Sequence, residues 1–407
     1  MTLIQTEPKS IKLWTTDIKK VYLGSTLVRP KPRTFTISWT EQSNMSSGWT
    51  YSDDAAWLTA GSWDFDDFFW YSAVLLNTSW VETAEMIQSW GVFTGAMTTL
   101  GNITSWDNVM IKFPVRWIKM SKSWSVVTLS ITEELNKAWY QYRAFARGTK
   151  NSHTIKDNLY IWAYHWSRIS GVLKSRSWQA KATSASTDWT SYFTSTTACT
   201  TAQANWAWYD NITYFAQQYI NCLYMMKYWN PYQYSTVWYW YINWTVLQDT
   251  WATNSITNAT WATNTSNTWR IKLFWLEDRW GNQFNILNGI AWNDSTWVRV
   301  WILPASSSGK ISSFEWTVST WRRTNYMSAI AGDNEWLFLC TADWAVDTYY
   351  KQYQYINLSS SSAFWAWASY DAKSRLSEWY GILTIAQFSD NVYNNNRLWA
   401  RLIYLKA

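Results

Sequence analysis

Between about residues 46 and 150, apolar residues come in short runs separated by turn signals. Val109-Met110-Ile111 and the run from Val126 to Ile131 are β-branched and apolar. Runs of this kind at roughly 8–12-residue spacing are the pattern of a sandwich or meander. Residues 209–231 change period: Ile212, Phe215, Tyr219, Ile220, Leu223 and Met226 recur at helical spacing. Asp210 or Asn211 would cap this helix and Pro231 would stop it. Residues 253–268, rich in Thr and Asn, read as a loop. In 381–388 the period-2 rule puts Leu383 and Ile385 on one face, expected to face a core. Ile382, Thr384, Ala386 and Phe388 share the other. Residues 1 to about 45 carry little apolar periodicity. One strand-like stretch, Lys20 to Leu23, ends at Gly24-Ser25, and Pro30 and Pro32 follow. This segment reads as an extended arm.

The chain has 407 residues, enough for two or three domains. Its formal net charge of +6 is spread along the chain without a basic run, so nucleic acid is not an expected partner. The N-terminus lacks the apolar core of a signal peptide. No apolar run approaches the ~20 residues of a membrane span, so membrane insertion is not expected. Three cysteines, Cys199, Cys222 and Cys340, do not form a disulfide framework. With them, the two histidines, His153 and His165, offer no convergent metal-ligand spacing, and no metal or cofactor is expected.

The composition is unusual in one respect. Tryptophan occurs 38 times and glycine 13 times, whereas glycine averages roughly 7% of residues. Sixteen tryptophans directly follow Ser, Thr, Asn or Asp, as in Ser79-Trp80, Ser105-Trp106, Ser123-Trp124 and Asp188-Trp189. Such pairs normally end in glycine, which accepts positive φ without strain. Two readings follow. Many of these residues are UGA codons that some bacteria and their phages read as glycine, or the chain is a Trp-rich lectin with aromatic sugar platforms. Tryptophan at turns throughout favours the first, because platforms need a few on one face. On the recoding reading, Trp80, Trp106, Trp124, Trp189 and Trp297 are expected at turns, exposed, or at positive φ. Trp280 and Trp49 read as genuine.

The segment RIKLFWLEDRWGNQFNILNGI (270–290) resembles the core strand of C-type-lectin-like domains of the formylglycine-generating-enzyme type. Leu276, Glu277, Asp278, Trp280, Gly281, Asn282, Gly289 and Ile290 match that family's string. Phe284 replaces its tryptophan, and Asn285 and Ile286 replace its Glu-Trp. The ending RLWARLIYLKA (397–407) resembles the family's closing strand, with Trp399 at a glycine position. The resemblance implies an α+β C-type-lectin-like domain over 155–407. A β-rich tail module over 46–154 precedes it, behind a virion-attachment arm over 1–45. Domains of this kind at phage tail tips include targets of diversity-generating retroelements, whose variable residues precede a fixed final strand. That places a variable segment at about 363–397.

The implied function is host-surface receptor binding by a diversified tail-tip protein, carried on the virion tail and assembled in the host cytoplasm. Its partners would be a host surface protein or glycan and other tail proteins, and a homotrimer is expected. The ligand residues expected are Tyr370, Asp371, Lys373, Arg375, Thr384, Phe388, Asp390, Tyr393, Asn394, Asn395 and Asn396. Tyrosine gives rigid amphipathic area, and Asn gives adaptable hydrogen bonds. Three other functions compete with this reading. An oxidase of the formylglycine-generating type needs a cysteine pair in the C-terminal third, where only Cys340 lies. A glycan depolymerase needs paired carboxylates across a groove, and adjacent Glu277 and Asp278 would point to opposite strand faces. A structural tail or baseplate subunit remains the other alternative. No enzyme activity is expected.

Overall fold

A computed structural model describes residues 12–13, 16–17, 21–23, 26–28, 32–41, 48–77, 81–89, 92–93, 107–149, 151–164, 166–169, 172–176, 202–205, 209–230, 260–263, 269–277, 284–293, 297–300, 316–319, 326–334, 337–344, 364–368, 385–387, 398–400 and 402–405. The fold is mostly β-sheet, with two α-helices among the described elements.

The alternation in TFTISWT makes β1 (Thr34–Thr40). Phe35, Ile37 and Trp39 point into the core. Thr34, Thr36 and Ser38 line the opposite face, where their hydroxyls meet those of Thr132, Ser130 and Thr128 at 2.9, 2.8 and 3.0 Å. Cross-strand pairs of this kind hold a sheet face without apolar burial. After β2 (Trp49–Asp53) comes α1 (Asp64–Phe69), then β3 (Ser72–Leu76) and β4 (Glu82–Ser89). Next come β5 (Asn108–Pro114), β6 (Trp117–Ser123), β7 (Val126–Thr132) and β8 (Asn158–Trp162). The runs at 109–111 and 126–131 are thus strands. They lie in different sheets: one four-stranded, in the order β6-β7-β1-β2, and one seven-stranded that includes β5.

The second helix, α2 (Tyr214–Tyr228), starts later than its sequence suggests. Tyr209–Asn211 forms a strand, β9, so neither Asp210 nor Asn211 caps the helix. Thr213 does, accepting a hydrogen bond at its side chain from the Ala216 N–H. Every residue of α2 is buried, as expected of a helix at the centre of a core and not on its surface. Buried Lys227 pairs with buried Asp66 of α1, and the Tyr71 hydroxyl donates to the same carboxylate at 2.6 Å. Phe35 stacks on Phe68 at 3.9 Å. Tyr219 meets Phe113 and Phe145 edge-on at 6.1 and 4.9 Å.

The C-terminal third adds β10 (Phe284–Asn293), β11 (Trp297–Val300), β12 (Trp316–Ser319), β13 (Phe364–Ala368), β14 (Ile385–Gln387), β15 (Leu398–Ala400) and β16 (Leu402–Leu405). The seven-stranded sheet has the order β9-β16-β8-β5-β3-β4, ending on the short strand Val92–Phe93. The closing strand β16 therefore lies inside that sheet, between β9 and β8.

Several expectations are corrected. The arm over 1–45 is not simply extended. Its residues 34–40 form an inner strand of the four-stranded sheet, and Val21–Leu23 pairs with Thr26–Val28 across Gly24-Ser25. The 270–290 string is not one strand. Trp269–Leu273 turns at Phe274-Trp275 into Leu276–Glu277, and β10 follows. Part of the Thr/Asn loop, Thr260–Thr263, is a strand paired with Trp269–Leu273. Strands from the two sides of residue 154 pair with each other. β5 pairs with β8 over five residue pairs, and one hydrophobic cluster runs from Phe35 to Leu339.

Candidate functional site

The described parts of the segment 363–397, residues 364–368 and 385–387, belong to the sheet that contains β10. β13 runs antiparallel to β10, with Ala368 opposite Asn285 and Phe364 opposite Trp292. β14 runs antiparallel to β13, with Ile385 opposite Ala368 and Gln387 opposite Ala366. It is the outer strand of a sheet ordered β12-β11-β10-β13-β14. β15 lies on the other side of β10, parallel to it, with Leu398 opposite Phe284. The end of β13, the start of β14 and the start of β15 therefore share one end of the sheet, the end where β10 begins. The connection 369–384 leaves from and returns to that end, and the connection 388–397 returns to it.

Tyr370, Asp371, Lys373, Arg375, Thr384, Phe388, Asp390, Tyr393, Asn394, Asn395 and Asn396 all belong to these two connections and lie outside the described residues. Ile385 and Ala386 lie on β14, opposite Ala368 and Trp367.

Sequence reasoning did not find a cleft of about 470 Å³ lined by Pro32, Thr34, Asp53, Asp54, Glu134, Lys137 and Tyr140. Lys137 crosses it. Its ammonium lies 3.2 Å from Glu134, donates to Thr34 Oγ1 at 3.1 Å and sits 5.2 Å from the Tyr140 ring centroid. Asp54 accepts from the Thr34 N–H at 2.7 Å, and Asp53 accepts from the Thr36 hydroxyl at 2.5 Å. Both aspartates thus serve as hydrogen-bond acceptors for β1, the role of turn carboxylates. The lining residues come from three distant parts of the chain, which is why no local motif marks the cleft.

Among the described residues, Cys222 and His153 sit in structural surroundings. Cys222 is a free thiol buried on α2, and burial pushes its pKa well up, which keeps it inert. The His153 ring lies 2.7 Å from the Tyr142 hydroxyl and 3.0 Å from the Thr149 carbonyl. Among the described residues no three His, Cys, Asp or Glu side chains are grouped to hold a metal ion. Compared with models of known protein families the chain matches none, and no curated protein matches it.

Proposed function

We propose that the chain is a phage tail-tip protein whose C-terminal part, an α+β C-type-lectin-like unit, binds a protein or glycan on the host surface. The reading rests on the likeness of 270–290 and 397–407 to that family. The observation that carries it is the sheet end shared by the end of β13 and the starts of β14 and β15, which holds both ends of the connection 369–384 and the far end of 388–397. Loops fixed at their ends by a sheet form a binding face that tolerates changes in side chain without disturbing the core. All eleven expected ligand residues fall in the connections 369–384 and 388–397, outside the described residues. β16 is anchored between two strands, which suits a fixed final strand behind a variable segment. Homotrimerisation and contacts with other tail proteins belong to the same proposal.

The test is attachment. A chain carrying Phe388→Ala, Tyr393→Ala and Asn395→Ala is expected to stay folded, since surface replacements usually cost within about 0.5 kcal/mol each. It is expected to lose binding to host cells. Binding that persists in the folded triple variant would move the site elsewhere, with the 245–268 segment the next to test.

A further inference from the structure

We propose that Trp70, Trp124, Trp139, Trp229 and Trp275 stand at glycine positions, and that the natural polypeptide carries glycine at each, translated from UGA. The argument is conformational. Nine non-glycine residues among those described have positive φ, and five are these tryptophans, although tryptophan is only 38 of 407 residues. Asp53 and Asn136 also appear there, as their types are known to do. A bulky side chain at positive φ is a steric outlier in any protein.

Each of the five occupies a backbone slot whose geometry calls for glycine, and the slots are of different kinds. Trp70 and Trp229 follow α1 and α2 in left-handed conformation, at φ 52° and 47°, and their N–H groups bond back to Asp66 and Met225. Glycine is the usual residue there, and proline commonly follows within a residue or two. Asn230-Pro231 follows Trp229. Trp124 is the first of two residues linking β6 to β7, at φ 57°, and Ser125 after it does not have positive φ. That is the II′ hairpin pattern, which takes glycine first. Phe274 and Trp275 link Trp269–Leu273 to Leu276–Glu277 at φ 49° and 61°. Two positive φ angles make a I′ turn, commonly filled by Asn-Gly. Trp139, at φ 68°, is third in the turn from Lys137 to Tyr140, closed by Tyr140 N–H to Lys137 O at 3.2 Å. That is the glycine slot of a type II turn.

Burial fits. Trp124 is 95% exposed and Trp139 82%, so these rings fill no core. Trp229 and Trp275 do make contacts, with Tyr51 at 5.4 Å and Lys272 at 4.9 Å, which glycine would give up. Trp39 is the contrast: it lies on extended β1, is 1% exposed and stacks on Trp49 at 4.8 Å. The inference also bears on ligand chemistry. The exposed rings at 124 and 139 are not sugar platforms, because the natural chain has no side chain there.

Peptide mass spectrometry of the protein made by its natural translation system tests this. The tryptic peptides 123–137 and 138–143 each contain one of the five, Trp124 and Trp139, and no other tryptophan. Both are expected at the mass for glycine. Tryptophan in either overturns the proposal. In the chain synthesised as printed, Trp124→Gly is expected to raise the thermal unfolding midpoint, whereas Trp39→Gly is expected to lower it. An unchanged or lower midpoint for Trp124→Gly would also overturn the assignment.

Discussion

Lys272 faces Glu277 across the two-residue turn, in direct register, and both side chains are buried. Burial lowers the Lys272 pKa to about 8 against the opposing pull of Glu277, from an ordinary value of 10.5. Between those two values the unfolded chain binds more protons than the folded one, so stability rises with pH across that window. Lys272→Met keeps the apolar stem and removes the ammonium. It is expected to make the rise in unfolding free energy above pH 8 shallower than in the parent, as read from denaturant titrations at several pH values. Lys174, also lowered by burial to about 8, keeps part of the slope in both proteins. Identical slopes would mean that Lys272 keeps its normal proton affinity when folded. Little of this pairing was legible in the sequence. Glu277 was readable as part of a family string, but its partner became visible only once Phe274-Trp275 was seen to reverse the chain.

Elements were legible where one local signal dominated. The β-branched runs at 109–111 and 126–131 became strands, and the helical spacing of Phe215, Tyr219, Ile220, Leu223 and Met226 became α2. They were misread where long-range pairing competes with local preference. Asp210 and Asn211 are good capping types, but their backbones are held by β16, with Asp210 opposite Ile403 and Asn211 opposite Leu402. Thr213 is the first residue free to cap. Thr213→Ala should therefore cost about 1 kcal/mol, typical of a lost N-cap, while Asn211→Ala should leave the helix start untouched. Denaturant midpoints of the two variants decide this, and the reverse order would restore the earlier cap. The alternation of Phe35, Ile37 and Trp39 is a clear strand signal that the prolines at 30 and 32 obscure. The candidate ligand segment was placed by family likeness alone. Which end of which sheet anchors it depends on the pairing of β13, β14 and β15 with β10, and no local periodicity encodes that.

At the scale of the molecule, residue 154 is a weak place to cut. β8 takes five residue pairs from β5 and three from β16, so it joins the first half of the chain to its last strand. The hairpin formed by Tyr326–Ile330 and Cys340–Trp344 is tied to the N-terminal half. Asn334 accepts from the Met120 N–H and donates to the Trp139 carbonyl, both at 2.6 Å, and Arg143 donates to the Asn334 carbonyl at 2.6 Å. Phe338 lies against Trp39. Removing residues 1–154 would strip one edge of β8 and take Phe113 and Phe145 from Tyr219. It would also leave Lys227 buried without Asp66. An uncompensated buried charge alone typically costs about 3–5 kcal/mol, a large share of the ~5–15 kcal/mol that holds a typical domain together. The fragment 155–407 is therefore expected to lack a cooperative unfolding transition, while the whole chain retains one. A sigmoidal denaturant curve for the isolated fragment would show that the C-terminal part folds as a unit of its own. If instead the fragment fails to fold, host-attachment assays on it would report only lost structure, so binding has to be measured on the full chain. The binding face proposed for 363–397 would then depend on a core to which residues 33–149 contribute.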